Sequence, residues 1–249
     1  KPYRKKYFNK YFRESLIKSF FVLIYGAKYI KVLKNSNLKI FVLTDFHKKF
    51  IKKMFNLHSK VFVFPNSIKF HNFETQYKEP FIFYAGRISK EKGMLNLIDA
   101  FLKADLPDIK LKIAGDGPLL NDLKLMYNHN SSIEFLGLKT NDEVLDLINK
   151  SLAVVSATRL YEGQPTLLCE ASSLGVPSIF PKTGGISEFF PEDYQLSFDQ
   201  FKYDDLVNKI KLIENEELIK KVGAENKEFI KNFLNEEKLF KTLNEIIND

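Results

Sequence analysis

Among the 249 residues cysteine occurs once, at Cys169, so no internal disulfide can form and no Cys-x-x-Cys redox pair or zinc ribbon exists. A reducing, cytosolic setting is the expectation. Histidine is scarce as well: His47, His58, His71 and His129 show no metal-ligand spacing. The longest wholly apolar run, residues 20–27, is eight residues long, against about 18 to 20 for a membrane-spanning helix. P-loop, His-Glu-x-x-His and Gly-x-Ser-x-Gly patterns are missing. The chain starts at Lys1 without a signal-peptide arrangement, which predicts that it begins inside a longer protein. What remains, 45% hydrophobic, 14% aromatic and 28% charged residues, suits one large or two modest globular domains.

Charge is unevenly spread. The net +7 combines +14 over residues 1–60, where only Glu14 and Asp45 oppose 16 Lys and Arg, with −7 over the rest. In residues 1–34 aromatics such as Tyr7, Phe8, Tyr11 and Phe12 interleave with Arg4, Lys5, Lys6, Lys10 and Arg13. That composition fits a helix lying on an anionic membrane surface, and equally a solvated helix packing one apolar stripe on a core. No nucleic-acid motif accompanies the charge, and no nucleic-acid partner is expected.

Helical apolar spacing covers residues 9–35, followed by a strand over 39–43, a helix from Thr44 or Asp45 to about Phe55 and a short strand over 60–64. Residues 71–80 read as a linker. From Pro80 the pattern is regular, with strands expected over 81–85, 111–114, 133–136, 153–156 and 177–180, each separated by a helical stretch. This alternation predicts an α/β fold, a Rossmann-like parallel sheet with helices on both faces. Further helices are expected near 204–213, 216–233 and 235–247.

Parallel sheets bind ligands at the carboxyl ends of their strands, so the turns there are the place to look for chemistry. The first holds Gly86, Arg87 and Lys92, two cations able to grip a diphosphate, and the third holds Gly137. The fourth, Tyr161-Glu-Gly-Gln-Pro-Thr166, feeds a helix whose free N–H groups near Thr166 and Leu167 suit an anion. Glu162 and Glu170 stand eight apart, a spacing better matched to sugar hydroxyls than to a shared acid/base dyad. Gly115 to Pro118 begins like a dinucleotide fingerprint but lacks its third glycine. There is no Asp-x-Asp, so the charge of a diphosphate is expected to be met by side chains and a helix terminus, without metal or cofactor.

Taken in order, Tyr84-Ala-Gly-Arg-Ile-Ser-Lys-Glu-Lys-Gly93, Ile113-Ala-Gly-Asp-Gly-Pro118, Phe135-Leu-Gly137, Tyr161-Glu-Gly-Gln-Pro-Thr-Leu-Leu-Cys-Glu-Ala171, Gly175-Val-Pro177 and Gly184-Gly185 resemble the carboxy-terminal domain of retaining glycosyltransferases of the GT4 family, which have the GT-B fold of two facing Rossmann-like domains. The resemblance covers about residues 38–249. It implies a donor-nucleotide domain over 81–233, a partial second Rossmann-like domain, acceptor-side, over 1–70, and a last helix, 234–249, that crosses back to that domain. It implies transfer of a sugar from a nucleoside diphosphate to a saccharide or lipid-linked acceptor in cell-surface polysaccharide, lipopolysaccharide or glycolipid synthesis, at the inner face of the membrane.

Residue by residue, Arg87 and Lys92 match the diphosphate-holding pair, Glu162 the glutamate beside the donor sugar, and Glu170 the glutamate on the ribose. Gly163, Gln164, Pro165, Thr166 and Leu167 match the backbone that binds sugar hydroxyls and phosphate. Gly86 and Gly137 complete the donor-binding set. Gln164 stands where an aromatic or apolar residue is common, and Ala157-Thr158 where Pro-Ser is usual. With only the tail of an amino-terminal domain, weak donor binding and poor catalysis are expected. Competing expectations are a sugar-nucleotide epimerase and a non-catalytic module that binds nucleotide sugar or an anionic membrane.

Overall fold

The computed structural model describes residues 26–28, 30–34, 38–55, 60–70 and 78–248. The chain divides into two compact units, one formed by Lys1–Val42 with His47–Val63, the other by Leu43–Phe46 with Phe64–Asp249.

In the first unit, β1 (Ile40–Val42) and β2 (Val61–Val63) pair in parallel, Ile40 opposite Val61. Their β-branched side chains suit a pleated surface, and Val42 and Val61 are buried. Helix α1 (Asp45–Phe55) links them, with Asp45 in its first turn and Lys52 and Lys53 in its last, the polarity a helix dipole favours. Residues 26–28 and 30–34 are helical as the spacing predicts. The rest of the helix expected over 9–35, most of the basic and aromatic stretch with it, and residues 71–77 of the expected linker lie outside the described residues.

The second unit carries six parallel strands: β3 (Phe81–Ala85), β4 (Lys110–Ala114), β5 (Ile133–Gly137), β6 (Ala153–Val155), β7 (Ser178–Lys182) and β8 (Ser197–Asp199). Helices α2 (Met94–Ala104), α3 (Leu120–Met126), α4 (Asn141–Lys150) and α5 (Thr166–Ser173) lie between successive strands, and α6 (Tyr203–Lys211), α7 (Glu216–Phe233) and α8 (Glu236–Asn248) follow the sheet. Five of the strands are those the sequence predicts. The sixth, β8, was not expected: three residues ending in Asp199 are too short to show alternation, and the strand exists because Phe180, Pro181 and Lys182 supply a ladder for it.

Strand order is β5-β4-β3-β6-β7-β8. Alternate residues of β3 enter two cores: Ile82 and Tyr84 meet Leu97, Ile98 and Phe101 of α2 and Leu206 and Ile210 of α6 on one face. Phe81 and Phe83 meet Leu145 and Ile148 of α4, Leu168 of α5 and Ile230 of α7 on the other. A sheet covered on both faces explains why its strands read as unbroken apolar runs. Each fully buried Phe contributes about 1.5–3 kcal/mol. The helices are fixed by local signals too: Thr140 and Glu143 form a reciprocal capping box at the start of α4, and Asn215 caps α7 through the Leu218 N–H.

The order has a consequence for function. From β3 the chain builds outward to β4 and β5, then returns to the other side of β3 for β6, so the direction of winding reverses between β3 and β6. Crossovers on either side of such a point diverge to opposite faces and leave a crevice at the carboxyl ends of those two strands.

Candidate active site

Around that crevice stand Gly86 and Arg87 after β3, residues 156–165 after β6, and the start of α5. The turns after β3 and β4 press together backbone on backbone. The Gly86 N–H donates to the Ala114 carbonyl at 3.0 Å, and a Cβ placed on Gly115, whose φ is +130°, would lie 1.9 Å from the Gly86 carbonyl oxygen. Only glycine fits there. The Gly115 N–H in turn donates to the Gly137 carbonyl at 2.7 Å, so Gly86, Gly115 and Gly137 form one layer along the top of β3, β4 and β5.

Arg87 is exposed on this layer, and its carbonyl accepts a hydrogen bond from the buried Tyr84 hydroxyl at 3.0 Å. Burial and the nearby Glu162 carboxylate both push the Tyr84 phenol up from its usual range, keeping it a neutral donor. Beside Arg87 opens a cleft of about 330 Å³, walled by Gly86, Gly115, Asp116, Leu138, Lys139 and Val144. Leu138 is 76% exposed at its mouth.

Lys92 behaves differently from Arg87. Its Nζ lies 2.7 Å from Glu162 Oε1, and the two side chains are 31% and 24% exposed. The same oxygen accepts the Thr158 hydroxyl at 2.9 Å. Of the two cations that the resemblance puts on the diphosphate, Lys92 is ion-paired with Glu162 and Arg87 has no ion pair among the described residues. The backbone of Glu162 is also held. Its carbonyl accepts the Gly185 N–H at 2.8 Å, and Gly184, at φ +59°, packs so closely that a Cβ would lie 2.1 Å from that carbonyl oxygen.

The turn expected over 162–166 leads into α5, whose N-cap is Pro165 and which no side chain caps. The first N–H groups of the helix, from Thr166 and Leu167 onward, lack intrahelical acceptors by the geometry of any helix start, and the helix dipole adds partial positive charge there. Glu170 is half-buried one turn further on, and desolvation pushes its carboxyl above the ordinary range. Cys169 beside it is buried and its thiol is pushed up as well, which makes it inert packing. Gly163 and Pro165 are half-buried within the turn.

Gln164 does something the sequence did not suggest. Its Oε1 accepts the Asn66 N–H at 2.7 Å and its Nε2 donates to the Asn66 carbonyl at 2.8 Å, so its side chain pairs with the backbone of residue 66. Four further residues, Thr158 among them, were missed as parts of the site. Glu188 accepts the Asp45 and Phe46 N–H groups at 2.7 and 2.8 Å, Thr44 is buried against Gly185, and Phe46 stacks on Tyr161 at 5.9 Å. Only Thr158 left a signal, as the residue standing in the usual serine's place. The others meet the site across more than a hundred residues of sequence, a distance no local pattern reports.

A family model described as glycosyl transferases group 1 matches residues 66–235. The chain belongs to this family. It is 34% identical over 169 residues to an uncharacterized glycosyltransferase of Methanocaldococcus jannaschii, an alignment covering 65% of this chain and 47% of that one. It is 30% identical over 171 residues to the gpi3 subunit of phosphatidylinositol N-acetylglucosaminyltransferase of Schizosaccharomyces pombe, covering 65% and 37%. Among solved structures, a mutant of S. aureus TarM in complex with fondaparinux, α-GlcNAc-glycerol and UDP superposes with a TM-score of 0.79 at 22% identity, over 90% of this chain and 46% of that one. The chain thus spans less than half the length of each. The Rossmann-like parallel sheet flanked by helices is the fold of GT-B glycosyltransferases. No helix among the described residues is long and apolar enough to cross a membrane.

Proposed function

We propose that the second unit is the donor-binding part of a retaining glycosyltransferase of the GT4 type, which moves a sugar from a nucleoside diphosphate to a saccharide or lipid-linked acceptor. The observation that carries this reading is the convergence of Arg87, the Lys92–Glu162 pair and the start of α5 on the crevice between β3 and β6. Anionic oxygens of a diphosphate suit the α5 N–H groups and the two cations, and Glu170 suits the ribose hydroxyls. The cleft of about 330 Å³ beside Gly86 and Leu138 is where the base would sit in this reading.

Catalysis in this reading is electrostatic. As the bond between sugar and diphosphate lengthens, negative charge gathers on the leaving phosphate and positive charge on the sugar ring; Arg87, Lys92 and the α5 dipole stabilise the first and the Glu162 carboxylate the second. No divalent ion is required in this reading: the sequence has no Asp-x-Asp, and the charge of the diphosphate falls to side chains and the start of α5. The reading extends to a lipid-linked acceptor in cell-surface glycan or glycolipid assembly at the inner membrane face; the S. pombe relative belongs to a transferase named for a lipid, phosphatidylinositol.

Calorimetric titration of the chain with UDP, GDP, ADP and their sugar nucleotides tests the site. One nucleotide should bind selectively, and Glu170→Gln or Arg87→Ala should weaken it about tenfold or more without unfolding the protein. Unchanged affinity in both variants would sink the assignment.

A further inference from the structure

We propose that Thr158, a residue outside the donor-contacting set, is the positioning residue that aims the Glu162 carboxylate. The proposal rests on the donor-site reading above. Thr158 is 2% exposed, too deep to touch a ligand itself. Its Oγ1 accepts the Leu160 N–H at 3.2 Å and lies 2.9 Å from Glu162 Oε1. A hydroxyl has one hydrogen, and with an N–H already directed at its oxygen that hydrogen is committed to the carboxylate. Lys92 donates to the same carboxylate oxygen at 2.7 Å. One oxygen of Glu162 therefore carries both protein donors, while Oε2 has no hydrogen-bond partner among the described residues.

Restraint at the other end completes the arrangement. With the Glu162 carbonyl tied to the Gly185 N–H and its backbone wedged by Gly184, the side chain is fixed at its root by one loop and at its tip by Thr158 and Lys92. A carboxylate pinned this way presents its second oxygen in one direction, ready to accept a hydroxyl of the transferred sugar without first reorganising. The core gains nothing from the hydroxyl: a valine of the same shape would fill the space equally well. Among the described residues, the hydroxyl's only partners are the Leu160 N–H and Glu162.

The test compares Thr158→Val, Thr158→Ser and Glu162→Gln in the whole chain, titrated with UDP, GDP and ADP and with UDP-GlcNAc, UDP-glucose, GDP-mannose and ADP-glucose. Loss of aim should weaken the sugar nucleotide by ~10-fold while the bare nucleotide changes less than about twofold, because the sugar alone meets Glu162. Serine, which keeps both hydrogen bonds, should restore wild-type affinity. In the Thr158→Val/Glu162→Gln double variant the two losses should not add, since one acts through the other. Equal weakening of nucleotide and sugar nucleotide by Thr158→Val would mean a structural role and overturn the proposal, as would no weakening of either. If the unaltered chain binds no nucleotide at all, the donor-site reading falls and takes this assignment with it.

Discussion

The two ends of the six-stranded sheet both hold lysines against carboxylates, yet they are built for different purposes. At the amino ends, Lys112 lies 3.1 Å from Glu79 and 4.0 Å over the Phe81 ring, the Glu79 N–H donates to the Lys150 carbonyl, and Lys78 donates to the Asn149 carbonyl at 2.7 Å. Each of these groups is used by its neighbours, although the buried Ser178 hydroxyl at the start of β7 has no hydrogen-bond partner among the described residues. At the carboxyl ends, capacity is left over: Arg87 is exposed, one oxygen of Glu162 has no partner among the described residues, and α5 starts without a side-chain cap. There the loops approach through glycines that admit no side chain, Gly115 on Gly86 and Gly184 on Glu162. In the proposed reading, the carboxyl end keeps polar groups open for a ligand and gives up loop tolerance to hold them in place.

The largest effect that would separate the two ends comes from Gly115→Ala. A methyl group driven into the Gly86 carbonyl at positive φ should cost about 2–5 kcal/mol in urea unfolding and remove nucleotide binding, because the layer carrying Arg87 must shift. At the opposite end Lys112→Met should be far milder. It removes one partly exposed ion pair and one ring contact, for a loss of about 1 kcal/mol, and calorimetry should find nucleotide affinity unchanged. If Lys112→Met weakened nucleotide binding as Gly115→Ala does, the division of labour between the ends would be wrong.

The smallest effect concerns pH. Burial pushes the Lys78 ammonium down to about 8, below the 10.5 of an unfolded lysine. Below pH 8 both states hold the proton and the folded state bears the full desolvation penalty. Between about pH 8 and 10.5 the folded protein releases that proton while the unfolded chain keeps it, so stability should rise with pH across this window. Urea midpoints measured from pH 7 to 10.5 should show the rise, and Lys78→Met should flatten it; an equal slope in both proteins would assign the pH dependence elsewhere.

Much of this molecule was legible before its fold. Strands β3 to β7 and helices α7 and α8 stand within about two residues of where periodicity places them, because each is long or strongly apolar. The start of α5, with Glu162 in the turn before it and Glu170 one turn inside, was readable for the same reason, a short stretch of sequence that carries its own geometry. β8 was not, since three residues hold no period. Nor was the use of Gln164, whose amide pairs with Asn66 almost a hundred residues earlier. The capping of Asp45 and Phe46 by Glu188 was equally hidden, because local pattern cannot report which distant N–H groups a carboxylate will meet.

The sequence by itself determined the alternation of strands and helices, the two-sided burial and the glycine-rich turns, for these follow from residue size, branching and apolar spacing over a few neighbours. Which strands adjoin, and therefore where the crevice opens, was decided only when β6 returned to the far side of β3. The same closure brought Lys92 to Glu162, seventy residues on, with Thr158 on the same oxygen. Charge and hydrogen-bonding capacity belong to single residues; their pairing depends on distance in space, and that distance was set by the packing of the whole sheet.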